Sequence, residues 1–97
     1  VYTIESIYKL KGKACDERFL TAPIGCKDAP YLDIYRPMNS SQRWILIKNS
    51  AGLYQIRSLL CAQNNERNQF IKHSGSDNNS MAYFTGGTGT PFQLNLA

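Results

Sequence analysis

The acidic side chains and the single histidine are the residues of this chain that could perform acid–base or nucleophilic chemistry. Of the seven acids, Asp16 and Glu17 are adjacent. Adjacent residues on a strand point to opposite faces of a sheet, so this pair would not act together on one substrate. His73 follows Lys72 in polar sequence, which is typical of a solvated loop. Because hydrolysis needs paired carboxylates or a nucleophile with its base, we predict no catalytic residues and no enzymatic activity.

Three cysteines, Cys15, Cys26 and Cys61, are the residues suited to metal binding or disulfide formation. A structural zinc site needs about four well-spaced ligands, and the sequence has no CxxC motif and one histidine, so we expect no metal. The cysteines are either buried thiols or include one disulfide, and a Cys15–Cys26 bond would close a short loop. An odd number leaves one thiol free or paired with another chain.

The composition and charge of the chain narrow the classes of partner. Ninety-seven residues, 42% hydrophobic and 19% charged, suit one globular domain. The net charge of +4 comes mostly from scattered basic residues, so nucleic-acid binding is not expected. No apolar run approaches the ~20 residues that span a bilayer. Sequons at Asn39 and Asn78 favour a secreted protein. The glycine-rich stretch 86–91 lacks the features of a phosphate loop, so we predict a turn there and no cofactor.

Strand-like patterns recur along the chain, and helical patterns are almost absent. The first four predicted strands are 2–6, 19–22, 31–35 and 44–47, and the pattern restarts at 54–58, 59–62, 81–84 and 92–96. In this alignment 59–62 lies over 19–22, and 81–84 over 32–35. We also predict a short extra strand at 70–72, inside the polar stretch 62–80. We therefore predict an all-β single domain, 1–97, made of two four-strand repeat units, 1–52 and 53–97.

The segment Gln42-Arg43-Trp44, followed by the turn 49–52 and a strand opening at Tyr54, carries a family resemblance. It resembles the Q-x-W signature of ricin-type (ricin B-like) β-trefoil lectins and the strand that opens their next repeat. Trp44 is expected to fill the centre of the barrel. The resemblance implies a β-trefoil-like barrel of which two repeats are visible, the third being missing or supplied by a second chain that completes the barrel.

The same resemblance implies a non-catalytic carbohydrate-binding module whose partner is a glycan or glycoprotein. Carried over by position, the aromatic residue of the sugar site is Tyr35, the polar pair is Asn39 with Gln42, and Asp33 adds an acceptor. The position at which the family has an aspartate holds Thr21, which departs from ordinary galactose-type sites.

A second resemblance leaves an alternative open. The tryptophan strand, turn and Tyr-x-Ile sequence are similar to fungal β-trefoil inhibitors of cysteine proteases, the mycocypins. In that case the partner is a protease, the inhibitory loop is 62–80, and Arg67 or Lys72 contacts a basic-specific protease. A structural subunit without a small ligand is the third hypothesis.

Overall fold

The computed structural model describes residues 1–6, 12, 14–73 and 82–94. The fold is mostly β, with two antiparallel sheets and one short helix, which confirms the β class predicted from the sequence. Strands β1 and β2 form a two-stranded sheet, and β3, β4, β5 and β6 form a four-stranded sheet in that order. The elements are β1 Phe19–Thr21, β2 Tyr31–Asp33, β3 Trp44–Lys48, β4 Tyr54–Ser58, α1 Leu59–Gln63, β5 Phe70–His73 and β6 Ala82–Thr85.

Two further extended segments pair with the four-stranded sheet near its β3–β4 end. We call residues 2–6 the N-edge segment and residues 92–94 the C-edge segment. Tyr2 and Trp44 exchange two backbone hydrogen bonds, of 2.9 and 2.8 Å, and Tyr54 and Phe92 exchange two of 2.8 Å. The continuous order of pairing is therefore N-edge segment, β3, β4, C-edge segment.

The two halves of the described chain follow the same order of pairing. Glu5 of the N-edge segment bridges to Phe19 of β1, and Arg57 of β4 pairs with Phe70 of β5. β1 then pairs antiparallel with β2, and β5 pairs antiparallel with β6. The counterpart of β1 in the second half is therefore β5. The short strand predicted at 70–72 is confirmed, but it is the second strand of its half and not an additional one.

The strand predicted at 59–62 is wrong, because these residues form α1. The hydroxyl of Ser58 accepts a hydrogen bond from the Cys61 backbone N–H at 3.1 Å and caps the helix. The Leu59 N–H donates to the carbonyl of Arg43 at 3.0 Å, directly beyond the β3–β4 ladder. In the described part of the chain, no helix is long and apolar enough to cross a membrane.

The sequence alignment of the third strands is also wrong by several residues. Leu20 lies opposite Leu32 in the β1–β2 pair, and Ile71 lies opposite Phe84 in the β5–β6 pair. Phe84 therefore corresponds to Leu32 and not to Tyr35. The two alignments differ by three residues, and an odd shift exchanges the two faces of a strand, so the sequence alignment placed the buried Phe84 over the exposed Tyr35.

Trp44 lies at the centre of the core, as the sequence predicted, with no exposed surface. Its indole N–H donates to the Leu20 carbonyl at 3.0 Å, and its ring stacks on Phe84 with centroids 6.2 Å apart. One side chain thus joins the first half of the chain to the second. Among the residues that the structure describes, the other buried apolar ones are Ala22, Cys26, Ile56, Cys61, Ile71 and Phe84.

A disulfide between Cys26 and Cys61 joins the 3₁₀ turn Ile24–Cys26 to α1. Gly25 and Cys26 have left-handed backbone angles, φ +82° and +56°, at the turn that ends on the buried Cys26. Cys15 is exposed and unpaired. The Cys15–Cys26 loop considered from the sequence is therefore wrong. Proximity in sequence suggested that pair, whereas α1 brings Cys61 to Cys26 from 35 residues away.

Candidate functional site

The four residues predicted to bind sugar lie at the end of β2 and on the loop that follows it. A shallow depression of about 590 Å³ is formed by this loop. Its lining residues are Tyr35, Arg36, Pro37, Met38, Asn39 and Ser40. Two of the predicted residues, Tyr35 and Asn39, are therefore part of the depression, whereas Asp33 and Gln42 lie outside its lining.

Tyr35 provides the aromatic surface of the depression. Its side chain is 53% exposed, and its ring contacts the ring of Phe19 with centroids 4.8 Å apart and planes inclined at 37°. Tilted aromatic pairs at this distance attract one another. Phe19 on β1 therefore fixes the position of a ring that remains accessible to a ligand.

Gln42 lies beneath the loop and is almost completely buried. Its Oε1 accepts from the Arg36 backbone N–H at 2.7 Å, and its Nε2 donates to the Ile34 carbonyl at 2.6 Å and to the Thr21 hydroxyl at 3.1 Å. The amide is thus used inside the protein. Gln42 holds the loop against β1 and does not line the surface where a sugar would bind.

Asp33 acts on the depression through Arg36. Its Oδ2 lies 3.2 Å from Nε of Arg36, and its Oδ1 accepts from the Ile34 backbone N–H at 2.8 Å. The guanidinium of Arg36, half exposed, is therefore oriented by the carboxylate. Sequence analysis missed Arg36, although the Asp-x-x-Arg spacing at the end of a predicted strand was a usable signal.

Asn39 and Arg43 fix the far side of the loop. The Asn39 Oδ1 accepts from the Ser41 N–H at 3.0 Å, and the Asn39 N–H donates to the Arg36 carbonyl at 3.0 Å. The guanidinium of Arg43, the middle residue of the Q-x-W segment, donates to the Pro37 carbonyl. With Pro restricting the backbone inside the turn, the loop is held in one shape before any ligand binds.

The residues of the predicted inhibitory loop 62–80 do not form one loop. Arg67 is exposed after α1 and lines a polar depression of about 470 Å³, whereas Lys72 is in β5, opposite Tyr83. β5 is the strand that the sequence predicted within this stretch, and residues 74–80 lie outside the described residues. Gly86 packs against this region so closely that a Cβ there would lie 2.7 Å from the Arg67 carbonyl oxygen.

Metal-binding groups are not clustered in the part of the chain that the structure describes. No three His, Cys, Asp or Glu side chains there are near enough to one another to hold an ion. Comparison with known proteins adds no identification, because no family model, curated protein or solved structure matches this chain.

Proposed function

We propose that this protein is a non-catalytic carbohydrate-binding module that binds a glycan or glycoprotein at the depression of residues 35–40. The observation that carries the proposal is the exposed Tyr35 ring, supported from below by Phe19 and set beside Arg36 and Asn39 on a fixed loop. An exposed aromatic ring with adjacent hydrogen-bond donors and acceptors is a suitable surface for a ring-shaped, polar ligand.

Each side chain of the site has a defined role in this proposal. Tyr35 stacks on the apolar face of a sugar ring. Arg36, oriented by Asp33, donates hydrogen bonds to hydroxyl or carboxylate oxygens at the edge of the sugar. The Asn39 Oδ1 caps the turn, so its amide nitrogen is the group that donates to the ligand. Gln42 and Arg43 are positioning residues that keep the loop in place.

We also propose that the fold is a β-trefoil-like barrel of the ricin-type lectins, of which this chain forms two units. The pairing order N-edge segment, β3, β4, C-edge segment supports this proposal, because repeating it would add strands around a barrel. The buried Cys26–Cys61 disulfide supports a secreted protein, since such bonds persist mainly in oxidising compartments.

A glycan array tests the proposed site directly. The native protein is expected to bind a subset of glycans, and Tyr35→Ala is expected to weaken that binding by about tenfold or more, given the ~0.5–1.5 kcal/mol of an aromatic contact and the added area. Tyr83→Ala is the matched control, because Tyr83 is a similarly exposed tyrosine on β6, 41% accessible, outside the site. Equal binding by Tyr35→Ala and native protein would contradict the proposed site.

A protease panel separates this function from the inhibitor alternative. Under the carbohydrate proposal, the native protein leaves cysteine proteases fully active. Inhibition that disappears in Arg67→Ala but persists in Tyr35→Ala, together with an empty glycan array, would replace the carbohydrate proposal by the inhibitor function.

A further inference from the structure

The charged groups around the 35–40 loop are not equally exposed to a ligand. The side chain of Arg36 lines the depression and is 49% exposed, whereas that of Asp33 is 21% exposed and lies outside the lining. Both carboxylate oxygens of Asp33 are engaged, Oδ1 by the Ile34 N–H and Oδ2 by Arg36 Nε. No acidic residue is among the described residues that line the depression. A ligand in the depression therefore meets a positive charge.

Most of the hydrogen-bond donors of the Arg36 guanidinium are not used inside the protein. Its Nε donates to Asp33, and neither Nη1 nor Nη2 has a partner in the part of the chain that the structure describes. The two Nη atoms form an edge whose parallel N–H groups match the two oxygens of a carboxylate. Because Asp33 already orients the Arg36 side chain, less conformational entropy is lost when a ligand binds to it.

Arg43 adds a second positive charge at the same loop. Its guanidinium donates to the Pro37 carbonyl, on the loop itself. Within the described chain, the charged residues that belong to this loop or bond to it are two arginines and one aspartate, a surplus of one positive charge. A neutral sugar leaves this surplus without a counterpart. An anionic group gains charge-assisted hydrogen bonds, which are roughly twice as strong as those between neutral groups.

Given the carbohydrate-binding function proposed above, on which this inference rests, we propose that the ligand is an acidic sugar, a uronic or sialic acid. Its carboxylate binds Nη1 and Nη2 of Arg36. In these sugars the carboxylate is bonded directly to a ring carbon, so the ring and the charge are neighbouring groups. Tyr35 and Arg36 are likewise adjacent, and both line the depression. The sugar ring therefore stacks on Tyr35 while its carboxylate reaches Arg36.

Binding to uronic-acid and sialic-acid oligosaccharides, each paired with its carboxyl-reduced form, tests this proposal. The native protein is expected to bind at least one acidic form about tenfold more tightly than its reduced form. This ratio should fall as sodium chloride is raised to about 0.5 M, because exposed charges are screened. Equal binding of both forms would overturn the proposal and leave carbohydrate binding in place. A preference for sulfate esters alone would also overturn it. Binding to no glycan at all, acidic or neutral, would overturn both proposals.

Two variants with the same change in net charge separate Arg36 from the overall charge of the protein. Arg36→Gln is expected to bring the ratio between the acidic and reduced forms from about ten to about one, because the amide carries no charge. Lys48→Gln, at an exposed position on β3, should keep the native ratio. An equal loss in both variants would overturn the role of Arg36. Near-ultraviolet circular dichroism of Trp44 reports folding. Should Arg36→Gln fail to fold, the native ratio and its salt dependence decide.

Discussion

The hairpins β1–β2 and β5–β6 pair in the same way and are buried to different extents. Ile71 and Phe84 of the second hairpin are 3% and 7% exposed, whereas Leu20 and Leu32 of the first are only partly buried and border the open cleft. The second hairpin packs on Trp44 through Phe84, whereas the described residues include no counterpart of Trp44 on the first hairpin. The shared hydrogen-bond pattern therefore determines the backbone path of each hairpin. The extent to which its apolar side chains are buried depends on the residues that pack against it.

Trp44 and Phe92 also occupy corresponding positions and differ in burial. Substituting Trp44 should have the largest effect on stability. Trp44 is enclosed by both halves, whereas Phe92 is half-buried on the C-edge segment. We expect Trp44→Ala to lower the free energy of unfolding by about 4–5 kcal/mol and Phe92→Ala to lower it by about 2 kcal/mol. Guanidinium denaturation followed by circular dichroism measures both. Equal losses would mean that Phe92 is as enclosed as Trp44.

The disulfide is the covalent link between the halves, and its removal should rank second. Closing a loop between Cys26 and Cys61 is expected to contribute about 3–4 kcal/mol by restricting the unfolded chain. We therefore expect the double substitution Cys26→Ala with Cys61→Ala to lower stability by that amount. Cys15→Ser is the matched control, because Cys15 is exposed and unpaired, and it should change stability by less than about 0.5 kcal/mol. A double variant as stable as the control would contradict this account.

Much of the fold could be predicted from the sequence, because strands follow from the local alternation of apolar and polar residues. The Trp44 core and the return of the Tyr-x-Ile-x-Ser pattern at Tyr54 indicated the strands that surround it. The helix α1 was not accessible. It has five residues and depends on the Ser58 cap and on the bond from Cys61 to Cys26, so tertiary contacts override the local pattern of its sequence.

Part of the candidate site could also be predicted from the local sequence pattern. Tyr35 and Asn39 follow a predicted strand and precede the Q-x-W segment, which places them on a loop. The burial of Gln42 was not predictable, because its amide bonds to Thr21, which is 21 residues away. Such bonds depend on the side to which the loop folds, and local sequence carries no signal for that.

Gln42 and Gln69 play similar structural roles at sites that differ in burial, and their substitutions should differ in cost. The side-chain amides of both residues bond to backbone groups. Gln42 is buried, whereas Gln69 is half-buried. Gln69 accepts from Arg57 Nε at 2.8 Å and donates to the Glu66 carbonyl at 2.8 Å. We expect Gln42→Leu to cost about 2–3 kcal/mol, because it removes three hydrogen bonds, one of them to the buried Thr21 hydroxyl. Gln69→Leu should cost about 1 kcal/mol. Chemical denaturation measures both, and a larger loss for Gln69→Leu would reverse this ranking.

The smallest effects are expected from exchanging the counterparts Leu32 and Phe84. Phe84→Leu removes the ring that stacks on Trp44 and should cost about 1–1.5 kcal/mol. Leu32→Phe enlarges a side chain that borders an open cleft of about 350 Å³ and should change stability by less than about 0.5 kcal/mol. Chemical denaturation measures both. A loss of about 1–3 kcal/mol for Leu32→Phe, typical of an overpacked core, would show that the first hairpin is as closed as the second. The difference between the halves would then lie in residue size and not in a missing neighbour.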